Sequence, residues 1–175
     1  MSQTQNATQL IISFQALDKP GIVNQLSQVV RSHHGNWLDS RLSELGGIFS
    51  GLIAISISTN DIDALKADLL DLNDIDVSVY EDSDTVNNSK TTLRLELVGP
   101  DRKGIIEEIS RALAAHGLNI HTMESSIASA PMSGEQLFQT RIDAEIPDAV
   151  SLEALGDALD EVANQLTLEI ELETS

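Results

Sequence analysis

The sequence predicts an α+β protein made of two similar domains, each a βαββαβ sandwich with an antiparallel sheet. A strand, a Gly-containing turn and a helix follow one another twice along the chain. The two copies share one spacing, since Gly21 and Asn36 lie 83 residues before Gly104 and Asn119. Apolar and polar residues alternate in the predicted strands, as in sheets that bury one face. Two copies indicate a duplicated domain and not a solenoid, which has more and shorter repeats.

The first half contains one complete set of these elements. In chain order they are a strand at 9–17, a helix at 22–34, strands at 37–45 and 48–58, a helix at 62–72 and a strand at 75–79. Gly35 is expected to end the first helix, and the Gly46-Gly47 pair predicts a β-hairpin. Asn60 or Asp61 can cap the second helix.

The second half repeats the order. Its predicted elements are a strand at 91–98, a helix at 105–116, strands at 118–128 and 137–146 around a loop at 129–136, a helix at 151–164 and a strand at 166–173. Strict alternation in the last strand indicates helices on one side of the sheet only. Each half is therefore predicted to be a ferredoxin-like sandwich.

The domain boundary is expected in the polar stretch from Glu81 to Lys90, which has no hydrophobic periodicity. We place the first domain at 8–82 and the second at 91–174. Aromatic residues make up only 3% of the chain against 41% hydrophobic residues, so the cores must be built from aliphatic side chains.

The net charge of −18 excludes several classes of partner. Both halves are acidic, so direct nucleic-acid binding and attachment to an anionic membrane are not expected. The chain has no cysteine, which excludes disulfides and thiol catalysis. The first residues resemble no targeting signal and no apolar run is long enough to span a membrane, so a cytoplasmic location is expected.

Two motifs carry a resemblance to a known family. They are Asp-Lys-Pro-Gly-Ile-Val at 18–23, followed by His-Gly-Asn at 34–36, and Gly-Pro-Asp-Arg-Lys-Gly-Ile-Ile at 99–106, followed by His-Gly-Leu-Asn-Ile at 116–120. Both resemble the signature of the ACT domain, a βαββαβ module that binds amino acids and regulates metabolic enzymes. The resemblance covers nearly the whole chain.

The resemblance implies a ligand site at the loop after the first strand and the start of the first helix. The matching residues are Asp18, Lys19, Pro20, Gly21, Ile22 and Asn36 in the first copy, and Asp101, Arg102, Lys103, Gly104, Ile105 and Asn119 in the second. Lys103 departs from the commoner Pro, so the second loop is less restricted in φ.

Structural roles compete with ligand binding at several of these positions. Gly21 and Gly104 could serve only to let the helix pack close to the sheet. The two aspartates could stabilise the turn or the helix dipole, and the two asparagines could be turn residues. The unpaired N–H groups of a helix N-terminus favour a small anion or carboxylate site.

Catalytic and metal sites have no candidate residues. The four histidines, His33, His34, His116 and His121, lack partners at metal-binding spacing. Ser125-Ser126 lacks the sequence context of an activated nucleophile. No metal or cofactor is therefore expected.

The expected function is that of a non-enzymatic regulator. The resemblance implies a tandem ACT protein that responds to a small amino acid, glycine being favoured, and represses glycine cleavage genes through contact with a DNA-binding activator protein. The sheets would pair within the chain or across a homodimer. The alternatives are a regulatory subunit of an amino-acid metabolic enzyme and a small enzyme on the same sandwich.

Overall fold

The computed structural model describes residues 7–81, 91–130, 134–147 and 150–174. The chain divides into two compact units, Met1–Val86 and Asn87–Ser175, and each is described by itself. The expected linker at 81–90 lies outside the described residues except for Glu81, and the expected loop at 129–136 is described only in part.

The first domain has the predicted βαββαβ order. Its elements are β1 (Ala7–Leu17), α1 (Ile22–Ser32), β2 (Asn36–Leu45), β3 (Ile48–Ser58), α2 (Ile62–Leu70), which follows a short 3-10 turn at Thr59–Asp61, and β4 (Asp76–Glu81). The strands pair in the order β2-β3-β1-β4, with every neighbouring pair antiparallel. Asp61 stands at the N-cap position of α2, but its side chain makes no capping hydrogen bond.

The second domain repeats this arrangement. Its elements are β5 (Thr91–Pro100), α3 (Ile105–Ala115), β6 (Asn119–Ser129), β7 (Gln136–Ile146), α4 (Leu152–Leu166) and β8 (Glu169–Thr174). The strand order β6-β7-β5-β8 is the same as in the first domain, and all pairs are again antiparallel. The prediction of two α+β ferredoxin-like sandwiches is confirmed.

Both helices of each domain cover one face of its sheet. In the first domain Leu10, Ile12 and Phe14 of β1 are buried in one core with Leu26 of α1 and Leu65 of α2. The second core is built in the same way around Leu93, Leu95 and Leu97 of β5. Among the described residues, no helix of a domain covers the opposite face of that domain's sheet, which we call the open face.

The hairpin between β2 and β3 turns at Gly46 and Gly47, as predicted. Both residues have positive φ, 63° and 83°, which is the conformation of a two-residue type I′ turn. A side chain on either residue would resist this conformation, so the glycine pair sets the register in which Leu45 faces Ile48.

The first helix of each domain ends in the same way but uses different residues. The N–H of Gly35 donates to Val30 O at 2.9 Å, and the N–H of Leu118, 83 residues later, donates to Leu113 O at 3.1 Å. The left-handed residue before each donor is His34, with φ 58°, in the first domain and Gly117, with φ 73°, in the second. Gly35 and Gly117 are therefore not equivalent, although both stand next to a histidine.

The largest departure from the predicted boundaries is at the end of the chain. The alternation predicts residues 166–168 in the last strand, but α4 continues to Leu166 and β8 begins only at Glu169. Thr167 has a left-handed conformation with φ 59°, and the N–H of Leu168 donates to Ala163 O at 2.9 Å. This helix-ending motif therefore includes the residues whose alternation predicts a strand.

Candidate functional site

The candidate site of each domain lies where the first strand ends and the first helix begins. Its loop is held against the neighbouring strand by one backbone hydrogen bond. The N–H of Asp18 donates to Gly47 O at 2.8 Å, and the N–H of Asp101 donates to Gln136 O at 2.9 Å. Asp18 and Asp101 thus take the same position in both domains.

Gly21 and Gly104 are the N-cap residues of α1 and α3 and have φ values of 100° and 95°. A Cβ built on either glycine would meet no atom within 4 Å. The alternative that these glycines allow close packing of helix and sheet is therefore wrong. They are required by their backbone conformation, which side chains resist, and they leave open space beside the helix N-terminus.

The first turns of α1 and α3 keep their N–H groups free of side-chain caps. The first intrahelical hydrogen bonds run from Gln25 N–H to Gly21 O at 2.9 Å and from Glu108 N–H to Gly104 O at 3.0 Å. Earlier N–H groups in each helix point toward the loop, where an anion would be stabilised. The side chains of Ile22 and Ile105 are buried, so these two residues offer only their backbone.

An open groove of about 490 Å³ lies beside this helix start in the second domain. Four of the predicted site residues line it: Asp101, Arg102, Gly104 and Ile105. The other lining residues are Ile106, Glu107, Ser125, Ser126, Ile127 and Phe138. Sequence reasoning missed this second set, because no local pattern around Ser125 and Ser126 indicates a groove and their strand is distant in sequence.

The first domain differs at the positions that shape this groove. β2 and β6 each have a register shift at the same place, at Trp37/Asp39 and at Ile120/Thr122, so the 83-residue spacing holds along both strands. Leu42 consequently occupies the position of Ser125. The Leu42 side chain packs against the first core and takes up space that Ser125 leaves open.

The basic side chains of the two loops also differ in their partners. Lys19 Nζ donates to Asp74 Oδ2 at 2.5 Å, and this hydrogen bond and ion pair lower the pKa of the Asp74 carboxyl. Arg102, the equivalent of Lys19, makes no ion pair with any other described residue. Lys103 is exposed and does not line the groove, and Pro20 is exposed in the first loop.

The two asparagines lie away from the loops of their own domains. Asn36 and Asn119 are the first residues of β2 and β6, and the register places Asn36 level with Gln9 near the start of β1. Gln9 is separated from Leu17 by eight residue steps, about 26 Å along a strand. The structure therefore does not bring either asparagine to the loop of the same domain.

In the described part of the chain, no group of three or more histidine, aspartate or glutamate side chains is arranged to hold a metal ion. Among the described helices, none combines the length and the apolar character needed to cross a membrane.

Comparison with known proteins places both domains in one family. The sequence models of the ACT domain match residues 8–80 and residues 93–163. The glycine cleavage system transcriptional repressor of Escherichia coli (strain K12) is 27% identical in an alignment of 157 residues that covers 86% of this chain and 83% of that protein. The repressor of Shigella flexneri matches to the same extent.

Solved structures give the same result for the fold. A protein of unknown function from Galdieria sulphuraria superposes with a TM-score of 0.84 at 26% identity and covers 97% of this chain and 99% of its own. A structure assigned provisionally as a glycine cleavage system transcriptional repressor has a TM-score of 0.68 at 21% identity and covers 97% and 98%.

These matches and the two repeated sandwiches support a regulatory role. The chain belongs to the ACT domain family and carries two ACT domains in tandem.

Proposed function

We propose that this protein is a non-enzymatic regulator that binds a small amino acid, with glycine as the first candidate, in the groove of its second domain. It represses glycine cleavage genes through contact with a DNA-binding activator protein. The observation that carries this proposal is the groove at the start of α3, which unites a loop, a helix N-terminus and charged side chains of both signs.

The groove suits the two charges of an α-amino acid. Arg102 and the uncapped N–H groups of α3 favour a carboxylate, while Asp101 and Glu107 favour an ammonium group. Both charges of the ligand thus have complementary groups within one groove. The apolar residues Ile106, Ile127 and Phe138 line the same groove and limit the space around a ligand side chain.

The differences between the domains favour the second domain as the sensor. Leu42 fills the position of Ser125, and Lys19 is already paired with Asp74. A ligand carboxylate at the first loop would have to compete with the Asp74 carboxylate for Lys19. We therefore expect one amino acid to bind per chain.

The acidic charge favours regulation through a protein partner. Both halves of the chain are acidic, and the net charge of −18 would repel the phosphate backbone of DNA. A regulator of transcription with this charge needs a second protein to contact DNA. The two bacterial relatives are named as transcriptional repressors, which agrees with a role in transcription.

Calorimetric titration with glycine, serine and leucine tests the ligand proposal. The wild type should bind glycine at one site per chain, and Ser125→Leu should weaken binding at least tenfold by filling the groove. Arg102→Gln should also weaken binding by about tenfold, which equals ~1.4 kcal/mol, through loss of a charged contact. The matched control Lys19→Gln should leave the affinity unchanged.

Absence of binding of all three amino acids by folded wild-type protein would overturn the ligand proposal. Two sites per chain, or equal losses in Arg102→Gln and Lys19→Gln, would overturn the assignment to the second domain. Affinity purification with and without glycine, followed by mass spectrometry, tests the partner. A DNA-binding activator is expected, whereas an amino-acid metabolic enzyme would favour the alternative of a regulatory subunit.

A further inference from the structure

The open face of the first domain's sheet is unusually apolar. Four large apolar side chains project from it and are well exposed: Leu17 at 74%, Leu45 at 84%, Leu52 at 51% and Tyr80 at 59%. They are four of the eleven large apolar side chains that are exposed in the described residues. Several large apolar side chains exposed on one face of a sheet indicate an interaction site.

The strand register places these residues on one face of the sheet, in two rows separated by smaller and polar side chains. Leu45 and Leu17 both lie opposite Ile48, on either side of β3. Tyr80 lies opposite Ile11, which in turn lies opposite Ala54. Residues opposite each other share one face of an antiparallel sheet, so the apolar residues form two rows, Leu45–Ile48–Leu17 and Tyr80–Ile11–Ala54, that each cross three strands.

Leu52 is at the centre of this surface. It lies in the middle of β3, one of the two inner strands, opposite Ser13 on β1 and Arg41 on β2. Its neighbours on the same face of β3, Ser50 and Ala54, are small, and a groove of about 760 Å³ includes Ser13, Ser50, Leu52 and Ser78 in its lining.

The charges on the open face are few and mostly neutralise each other. Arg41 Nη1 donates to Asp39 Oδ1 at 2.7 Å, and this contact lowers the pKa of the Asp39 carboxyl. Asp76 is opposite Gln15 at one end of the sheet. The face is therefore close to neutral on a chain whose net charge is −18.

The second domain shows that the fold does not require an apolar open face. The positions of Leu52, Ala54, Ile11 and Ser13 are taken there by Arg141, Asp143, Arg94 and Glu96. Arg94 pairs with Asp143 and Arg141 pairs with Glu96, each at 2.8 Å. Glu169, Glu171 and Glu173 extend this charged surface along β8. The same backbone thus carries a polar surface in one domain and an apolar surface in the other.

We propose that the open face of the first domain's sheet is the contact surface of a homodimer, in which two copies of this face pack against each other. Two chains of charge −18 repel each other over most of their surface, and a nearly neutral face is where they can approach most easily. The open face of the second domain cannot serve in this way. Carboxylates outnumber basic side chains on it, so two copies of that face would repel each other.

The area of the face is sufficient for such a contact. With ~3.3 Å per residue and ~4.8 Å between strands, its four strands cover about 600 Å². Two faces together would bury about 1,200 Å², which reaches the lower end of the range for stable protein complexes. Leu52, near the two-fold axis, would be the central contact residue, and the same patch would be used by both copies.

Light scattering and sedimentation of the full chain at micromolar concentration test this proposal. The wild type should have twice the chain mass of 18.9 kDa. Leu52→Arg, which introduces the type of residue that the second domain carries there, should be monomeric. Leu152→Arg is the matched control, since Leu152 is 45% exposed at the start of α4, and it should remain dimeric.

A charge exchange distinguishes a second copy from a different partner. Leu52→Glu should also be monomeric, and an equal mixture of Leu52→Arg and Leu52→Glu should return to the dimer mass because opposite charges then meet near the axis. A monomeric wild type, a dimer that survives Leu52→Arg, or a mixture that stays monomeric would each overturn the proposal. Circular dichroism of each variant establishes that it is folded.

This inference does not depend on the proposed ligand. If the Leu52→Arg variant is monomeric and binds glycine, its mass supports the contact surface and its glycine binding supports the sensor. A dimeric wild type that binds no amino acid would support the contact surface and contradict the sensor.

Discussion

Arg94 and Asp143 lie opposite each other on β5 and β7, with Arg94 Nε 2.8 Å from Asp143 Oδ1. Thr122 on the next strand donates to the other carboxylate oxygen of Asp143 at 2.9 Å. The equivalent residues of the first domain, Ile11 and Ala54, are apolar and oppose each other in the same register. The two ACT domains therefore keep one backbone arrangement while their open faces differ in chemistry, which suits them to different contacts.

The Arg94–Asp143 pair should make stability depend on pH. Arg94, with a smaller contribution from Thr122, lowers the pKa of Asp143 below its ordinary value of 3.8. The ionised carboxylate therefore stabilises the fold above that value, and this stabilisation is lost as the pH falls through the lowered pKa. The effect should be small, because half of the Arg94 side chain is exposed.

Chemical denaturation of wild type and Asp143→Asn between pH 2 and pH 7 measures this effect. The variant should be less stable at pH 7, and the difference in free energy of unfolding should shrink below pH 3.8. Arg94→Gln should reduce the same pH dependence. A difference that stays constant down to pH 2 would contradict the role assigned to this pair.

Substitution of the left-handed residue that follows the first helix should change the free energy of unfolding in opposite directions in the two domains. His34 adopts φ 58°, which costs a non-glycine residue about 1–2 kcal/mol. His34→Gly should raise the free energy of unfolding by about 0.5–1 kcal/mol. The gain is smaller than the strain removed, because glycine has more freedom than histidine in the unfolded chain. Gly117→Ala should lower it by about 1 kcal/mol, because alanine is strained at φ 73°. A Cβ there meets only Pro147 Cγ at 3.9 Å, an ordinary contact that adds no clash. Equal effects of the same sign would contradict this explanation.

The two loop glycines should be replaceable only at a cost in stability. Gly21→Ala and Gly104→Ala should each lower the free energy of unfolding by about 1–2 kcal/mol, through backbone strain alone. Gly156, inside α4, is a suitable control, because a Cβ there also meets nothing within 4 Å. Gly156→Ala should raise stability by about 0.8–1 kcal/mol through helix propensity. Unchanged thermal midpoints in the two loop variants would show that the positive φ is not required.

The purified protein alone should not bind duplex DNA at physiological salt. Its net charge of −18 provides no basic stripe for phosphate groups. Mobility-shift assays at two salt concentrations measure this, and addition of the DNA-binding partner should produce a shift that depends on glycine. A salt-sensitive shift with this protein alone would contradict the proposed route of regulation.

The fold could be predicted from the sequence because its signals are local. Alternating apolar residues, the Gly46-Gly47 turn and the repeated loop motifs each define an element by themselves. The end of α4 could not be predicted, because Leu166 and Leu168 fit the alternation of a strand equally well. Their assignment depends on the left-handed conformation of Thr167, a residue type that seldom adopts it.

The candidate site could be predicted only in part. The loop residues form a motif, whereas Ser125 reaches the groove through strand pairing and a register shift that no local pattern indicates. The different environments of Lys19 and Arg102 likewise depend on Asp74, which is distant in sequence. Alternation alone also does not indicate the apolar open face, because it does not show which strand residues point outward together, Leu52 and Tyr80 in one domain and Arg141 in the other.

Nuclear magnetic resonance mapping of glycine binding tests the central claim most directly. Backbone amide signals of the ¹⁵N-labelled chain would be followed during titration with glycine. The signals of Gly104, Ile105 and Ser125 should shift in a saturable way, while those of Gly21, Ile22 and Leu42 should remain in place. Saturable shifts at the first loop instead, or no saturable shift anywhere in the folded protein, would contradict the assignment of an amino-acid sensor to the second ACT domain.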